Sequence, residues 1–267
     1  MLTSETKNSA RNDKDGNTLI MKAAAVVLGY NVGNVLEKAI RAIPEGSVDS
    51  IIVVNDGSTD NTADVAKRLG LKVLSHPQNR GYGAAQKSGY REAIQQGFDI
   101  AVMVHGDNQY DPTFVPQFVS KIRDEGYDVV TGTRMILGDA LKCGMPLWKF
   151  IPNRFLTWLE NTVFQTDLTD YHNGFRAFST SFLKKVPLDL LSDKFDFDTD
   201  IIIQAAIRKA RIAEIPHPTR YHDENSQMPF MKGVKYGLSI LKTVGLYLLH
   251  KIGIYKQALF MEKKSNG

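Results

Sequence analysis

Between residues 23 and 132 short apolar runs alternate with stretches of helical spacing, and no other feature constrains the fold as much. Residues 23–28, 51–54, 73–74, 100–104 and 129–132 read as strands. Helical stretches lie between them: 33–43 with apolar Val35, Leu36, Ala39, Ile40 and Ile43, a segment capped by Asp60 and running to Leu69, then 81–96 and 114–122. Such alternation predicts an α/β fold, a mostly parallel sheet flanked by helices on both faces. Sheets of this kind bind ligands outside the carboxyl ends of their strands. The polar clusters fall there: Tyr30-Asn31, Asn55-Asp56 and Gly106-Asp107. Segments far apart in sequence would therefore make one site.

The second half is less regular. Residues 147–164 have helical spacing, with Phe150, Phe155, Leu156, Leu159 and Val163 as the apolar positions. A loop at 170–174 leads into a short strand at 175–178. A helix at 198–209 follows, with Asp198 placed to cap it, then a strand at 212–215 and a polar loop at 217–229. Residues 234–254 form a long helical pattern with a break expected at Gly245 or Gly253.

Composition narrows the function classes. A chain of 267 residues suits one α/β domain with appendages. A net charge of +4 is too mild, and basic residues too little interleaved with aromatics, to suggest a nucleic-acid partner. Cys143 is the single cysteine, which rules out an intrachain disulfide and a cysteine metal site. Residues 1–22 are polar and lack the apolar middle of a signal peptide, so they read as a disordered leader. No apolar run approaches the about 20 residues that span a bilayer.

The richest motif is Val102-Met103-Val104-His105-Gly106-Asp107-Asn108-Gln109-Tyr110-Asp111-Pro112. A β-branched run stops abruptly at a small residue, a carboxylate and an amide. Asp111 then reads as an N-cap, with Pro112 at the first helical position. Asp107 and Gln109 are hard oxygen ligands suited to Mg²⁺ or Mn²⁺ held together with phosphates. The competing reading of Asp107 and Asn108 is a plain turn.

With Gly29-Tyr30-Asn31, Asn55-Asp56-Gly57-Ser58-Thr59-Asp60 and Asn79-Arg80-Gly81-Tyr82-Gly83-Ala84-Ala85, this motif forms an ordered set. The set resembles the family 2 glycosyltransferases, and within them the polyprenyl-phosphate (dolichyl-phosphate) sugar synthases. Gly132-Thr133-Arg134 and Gly174-Phe175-Arg176-Ala177-Phe178 extend the resemblance, which covers about residues 23–227. It departs from the family at three acids: Val32 stands for a usual Glu, Asn55 for the first of two aspartates, and His105-Gly106-Asp107 for an Asp-x-Asp metal motif.

The resemblance implies a GT-A fold, with a Rossmann-like sheet. It implies an inverting, metal-dependent transfer of a hexose from a nucleoside diphosphate sugar. The acceptor expected is a polyprenyl phosphate at the cytoplasmic face of a membrane. The alternatives are transfer to a saccharide hydroxyl in surface-polysaccharide assembly and, given the missing acids, a non-catalytic nucleotide-sugar-binding protein. A sugar-phosphate nucleotidyltransferase ranks last, because no early Gly-rich loop is followed by Arg and Lys.

The implied donor site comprises Gly29, Tyr30, Asn31, Asn55, Asp56, Arg80, Gly81, Gly83, Ala84, Gly106 and Arg134. Small residues at 81–84 would let backbone N–H groups approach a diphosphate. Asp107, Gln109 and His105 are the metal candidates. Arg134 and Arg176 would grip phosphates bidentately. Asp107 and Arg176 count as catalytic, with Asp170 and Asp200 (and Asp198) as candidate bases for a hydroxyl acceptor. A phosphate acceptor is already anionic and needs no base.

The domain reading is a leader at 1–22, a catalytic domain at 23–227 and a basic helical tail at 228–267. From 228 to 260 there is no Asp or Glu, while Lys232, Lys235, Lys242, Lys251 and Lys256 are present. Val234, Leu238, Leu241, Leu248 and Ile252 form an apolar stripe that would meet either an anionic membrane surface or the catalytic domain. Residues 222–228 read as a lid. The expected location is cytoplasmic, peripheral on the inner face of a membrane.

Overall fold

The computed structural model describes residues 11–12, 18–19, 21–136, 140–141, 144–218 and 230–261. The expected lid at 222–228 lies outside them. Strand β1 (Ala23–Gly29) is central and pairs in parallel with β2 (Ser50–Asn55) and with β4 (Ile100–His105). Short β3 (Lys72–Ser75) continues the parallel arrangement on β2. On the other side β6 (Arg176–Ser179) lies antiparallel between β4 and β5 (Val129–Thr133), and β7 (Ile212–Pro216) pairs in parallel with β5. The order across the seven-stranded sheet is β3-β2-β1-β4-β6-β5-β7.

Side chains of a strand alternate between faces, and both faces here are covered. Ala24 and Val26 of β1 join one core with Tyr90, Phe178, Phe197 and Ile202. Ala23, Ala25 and Val27 join the other with Leu36, Val65 and Phe118. Helices α1 (Leu36–Arg41), α2 (Thr62–Arg68) and α4 (Val115–Arg123) lie on this second face. Helices α3 (Tyr82–Gln95), α5 (Leu147–Phe164), α6 (Thr180–Leu183), α7 (Phe197–Ile207) and α8 (Phe230–Lys251) cover the first.

Several expected boundaries move. Helix α1 starts only at Leu36, because the Val32 carbonyl accepts from both Val35 and Leu36 N–H in a preceding turn. Asn61 holds the N-cap position of α2, yet Asp60 still satisfies its first turn by accepting from the Thr62 N–H at 3.0 Å. Asp196, not Asp198, precedes α7, so Asp198 sits inside the first turn. Helix α8 runs unbroken through Gly245 and ends before Gly253, whose φ of +81° only glycine adopts readily. In the polar leader Arg11–Asn12 and Thr18–Leu19 pair as antiparallel strands, so these positions have ladder structure where disorder was expected.

Candidate functional site

Parallel register carries three motifs to one edge. Gly29 pairs with Asn55, and Leu28 with His105, so the ends of β1, β2 and β4 stand side by side. Because β6 runs in reverse, its first residue, Arg176, lies opposite Met103 and Thr131, near that same edge.

The loops after β1 and β2 lock together. Asn31 adopts left-handed backbone (φ 54°), and its Oδ1 accepts from the Thr59 N–H at 2.9 Å. Its own N–H donates to Ser58 Oγ at 3.0 Å. Asn55 accepts from the Ser58 N–H and donates to Ser75 Oγ. Tyr30 remains half exposed beside them. Val32, which replaces a usual acid, packs among the partly buried apolar residues under this edge.

Asp56 has a structural task at this edge. Its buried carboxylate accepts from the Arg80 and Gly81 N–H groups, each at 2.9 Å, and from His76 Nδ1 at 2.6 Å. His76 Nε2 in turn lies 2.9 Å from Ser88 Oγ. Asp56 therefore anchors the Arg80–Gly81 turn at this edge.

The backbone cradle expected at 81–84 is likewise consumed internally. Gly83 and Ala84 N–H both donate to the Asp193 carbonyl, at 2.8 and 3.1 Å. A Cβ at Gly83 would stand 2.3 Å from the Ser192 carbonyl, and Gly81 (φ 105°) is equally tight against Asp193. These glycines are small because another backbone passes over them. Their N–H groups do not point to a phosphate.

At the end of β4, Asp107 Oδ1 accepts the Gln109 N–H at 2.9 Å across Asn108, itself left-handed at φ 60°. The Asp107 carboxylate thus closes a turn while staying partly exposed. Asp111 caps the following helical turn by accepting from the Thr113 N–H. His105 departs from the metal-ligand expectation: its ring packs between Tyr82 and Tyr110, with Nε2 3.3 Å from Tyr82 Oη. Gly106 lets the turn close, since a Cβ there would meet the Leu28 carbonyl at 2.5 Å. Among the described residues no three His, Cys, Asp or Glu side chains gather into a metal cluster. The hard oxygens of Asp107 and Gln109 still suit a divalent cation whose other ligands are phosphate and water.

Beyond β5 lies a second set of charges. Arg134 grips Asp170 with two hydrogen bonds, Nε to Oδ2 at 2.6 Å and Nη2 to Oδ1 at 2.8 Å, and also donates to the His172 carbonyl. Asn153 of α5 donates to Asp170 Oδ1 at 3.3 Å. Burial alone would raise the Asp170 carboxyl, but the charge and hydrogen bonds of Arg134 outweigh it and hold the group far below the usual carboxylate range. A carboxylate so held is a poor proton acceptor, which argues against Asp170 as the base.

Arg176 is wholly buried, and its guanidinium donates to the Tyr171 and Asp198 carbonyls. It acts as an internal strut, not as a grip on ligand phosphate. Asp198 lies 3.7 Å from it and accepts from Gln86 Nε2. Asp200 accepts the Ser192 N–H at 2.9 Å. Burial pushes its carboxyl up to about 6, against that hydrogen bond and with help from Asp196.

Several residues of the site carried no distinct signal in the sequence. Tyr110 stacks on Phe175 and accepts the Gly174 N–H at 3.2 Å. His217 Nε2 accepts from Asn173 Nδ2 at 3.0 Å while Nδ1 donates to the Pro218 carbonyl, and burial lowers its basicity. Glu214 accepts from the Thr169 and Asp170 N–H groups and so props the Asp170 turn from behind.

Residues 25–187 match Glycosyl transferase family 2. A UDP-N-acetylglucosamine–dolichyl-phosphate N-acetylglucosaminyltransferase of Methanococcus voltae is 29% identical over 73% of this chain and 84% of its own length. A dolichyl-phosphate hexose transferase of Haloferax volcanii is 29% identical over 82% of this chain and 92% of its own. Among solved structures, glucosyl-3-phosphoglycerate synthase of Mycobacterium tuberculosis, in complex with Mn²⁺, UDP and phosphoglyceric acid, superposes with a TM-score of 0.66. That match covers 89% of this chain and 80% of the other at 22% identity, a likeness of fold.

Proposed function

This chain belongs to glycosyl transferase family 2, and from that premise we propose that it transfers a hexose, with inversion, from a nucleoside diphosphate sugar to a polyprenyl phosphate. The observation that carries the reading is the Asp170 carboxylate, locked by Arg134 at the end of β5 and unfit to act as a base. The Nε–Nη2 edge of Arg134, expected on a phosphate, is spent on Asp170, and that carboxylate, kept ionised, does no proton transfer. An anionic acceptor needs none. The two relatives named for dolichyl-phosphate acceptors support the same choice.

Asp107, with Gln109, would hold Mg²⁺ or Mn²⁺ against the donor diphosphate. A cation held by these residues would supply positive charge to the leaving nucleoside diphosphate. Tyr30 and Asn31 would border the nucleotide end, and Arg80, on the turn that Asp56 anchors, would serve the diphosphate side. Arg176 works at one remove, fixing the Tyr171 and Asp198 backbone that shapes the acceptor side. The acid-free, lysine-rich α8 would keep the enzyme at the cytoplasmic face of an anionic membrane.

A saccharide hydroxyl is the second reading, favoured by Asp200, whose raised carboxyl is better matched to a base. The test is product analysis. The purified chain is given UDP- and GDP-hexoses with Mn²⁺, and short-chain polyprenyl phosphate competes with oligosaccharide acceptors. Mass spectrometry should find hexosyl lipid phosphate. Hexose on the oligosaccharide alone rejects the phosphate acceptor.

A further inference from the structure

The apolar stripe of α8 foreseen in the sequence faces outward. Val234, Leu238, Leu241, Leu248 and Ile252 are 40–65% exposed, while Ile240 and Val244, on the flank of the same helix, are buried. Helix α5 repeats the pattern, which its sequence concealed. Leu147, Trp148, Ile151, Phe155 and Trp158 follow a 4/3 spacing and are 39–63% exposed. Phe155, one of the apolar positions that gave the helix its spacing, belongs to this outer stripe. Leu156 and Phe164 take the inner side.

The two stripes are one surface. Helices α5 and α8 pack together, and the rings of exposed Trp148 and Phe230 meet across their junction at 5.2 Å. An exposed apolar face of this extent marks an interaction site.

The charges of the two helices indicate its partner. Helix α5 carries Lys149 and Arg154, and its single acid, Glu160, is fully buried. Helix α8 carries Lys232, Lys235, Lys242 and Lys251 and no acid. Cations bordering apolar and indole side chains suit the headgroup and acyl boundary of an anionic bilayer. No helix among the described residues is long and apolar enough to cross a membrane, so the pair would lie in the plane of the interface.

The platform is bolted to the site. From the inner side of α5, Asn153 donates to Asp170. Tyr236 of α8 packs edge-on against His172 at 5.6 Å. We propose that α5 and α8 together form a docking surface for an anionic lipid bilayer, with Trp148 and Trp158 entering the headgroup–acyl boundary and the lysines on lipid phosphates. The proposal rests on the reading that the enzyme works at a membrane, and it names α5 as half of the contact.

These are the only two tryptophans in the chain, which makes the test direct. The full-length protein is mixed with vesicles of phosphatidylcholine alone or with phosphatidylglycerol, and tryptophan emission and co-sedimentation are read. Phosphatidylglycerol vesicles should shift the emission to the blue, and brominated acyl chains should quench it. Ile151→Asp with Phe155→Asp should weaken vesicle binding about tenfold or more. Lys232→Gln with Lys235→Gln should weaken it about fivefold per lysine. Unchanged melting and unchanged transfer to a water-soluble short-chain acceptor certify that each variant is folded. Emission indifferent to anionic vesicles overturns the proposal. So does a blue shift that grows with protein concentration in the absence of lipid, with sedimentation as a dimer, since a second copy then covers the face. Vesicle binding without any transfer to lipid phosphate leaves the platform standing and removes the acceptor reading. Transfer to the short-chain acceptor without vesicle binding does the reverse.

Discussion

Replacing Asp170 with Asn should destabilise the protein by about 3 kcal/mol, the lower end of the cost of removing one member of a buried ion pair. Asp170 has no exposed surface and the Arg134 side chain only 11%, so the guanidinium would be left charged with little water to solvate it. Asparagine keeps one carbonyl oxygen for Arg134 Nη2, Asn153 and the His172 N–H, and that retention sets the lower end of the range. For a chain of this size the loss corresponds to a melting-point drop of roughly 6–12 °C. Arg134→Met combined with Asp170→Asn should melt higher than Asp170→Asn alone, because the orphan charge is gone.

The pH dependence has a definite sign. The folded pKa of Asp170 lies below its ordinary value, so its contribution is present above about pH 4 and fades as pH falls further. Parent and variant melting curves should therefore converge on acidification. Thermal and urea denaturation across pH 3 to 8 measure all of this. An Asp170→Asn protein within about 1 kcal/mol of the parent at neutral pH, well short of the cost of breaking a buried pair, would refute the argument. A double variant less stable than either single one would refute it too.

Other expectations are briefer. Asp107→Ala should abolish Mn²⁺-stimulated binding of UDP or GDP in calorimetry and lower turnover about 100-fold or more; retained stimulation removes the metal assignment. Gly83→Ala should cost about 1–3 kcal/mol in chemical denaturation, because its Cβ would lie 2.3 Å from the Ser192 carbonyl; an unshifted midpoint contradicts the close approach. Asp200→Asn should stabilise the protein at neutral pH, since folding raises this carboxyl to about 6 and penalises its charged form. That gain should grow between pH 4 and 6 and vanish below, and a gain independent of pH would show that burial of charge is not its source.

The strands of the first half are legible in the sequence because a strand buried on both faces must be apolar along its length, as Ala23–Gly29 and Ile100–His105 are. Their polar ends mark the edge correctly. The direction of β6 is not legible, since an alternating run such as Arg176–Ser179 reads the same either way and its orientation is decided by the excursion before it. Gly83 and Asp56 show a second limit. A glycine that admits a phosphate and one that admits the carbonyl of Ser192 look alike in sequence, and a carboxylate that binds ribose looks like one that anchors its own Arg80–Gly81 turn. Arg176 misleads because its partners are backbone carbonyls, which every residue has. The outer stripe of α5 is hidden because the helix is apolar on two sides, and spacing alone does not say which side is covered.

The chain leaves the sheet after Thr133 and returns at Arg176, and the Arg134–Asp170 pair ties the neck of that excursion across 36 positions. Everything between the two residues, α5 included, is a cassette whose ends are pinned whatever its contents. Closing a longer cassette would cost only logarithmically more. Its length and surface can therefore diverge between relatives while the donor half of the molecule stays unchanged. Exchanging residues 135–169 between two relatives that both keep Arg134 and Asp170 should transplant one enzyme's surroundings into the other.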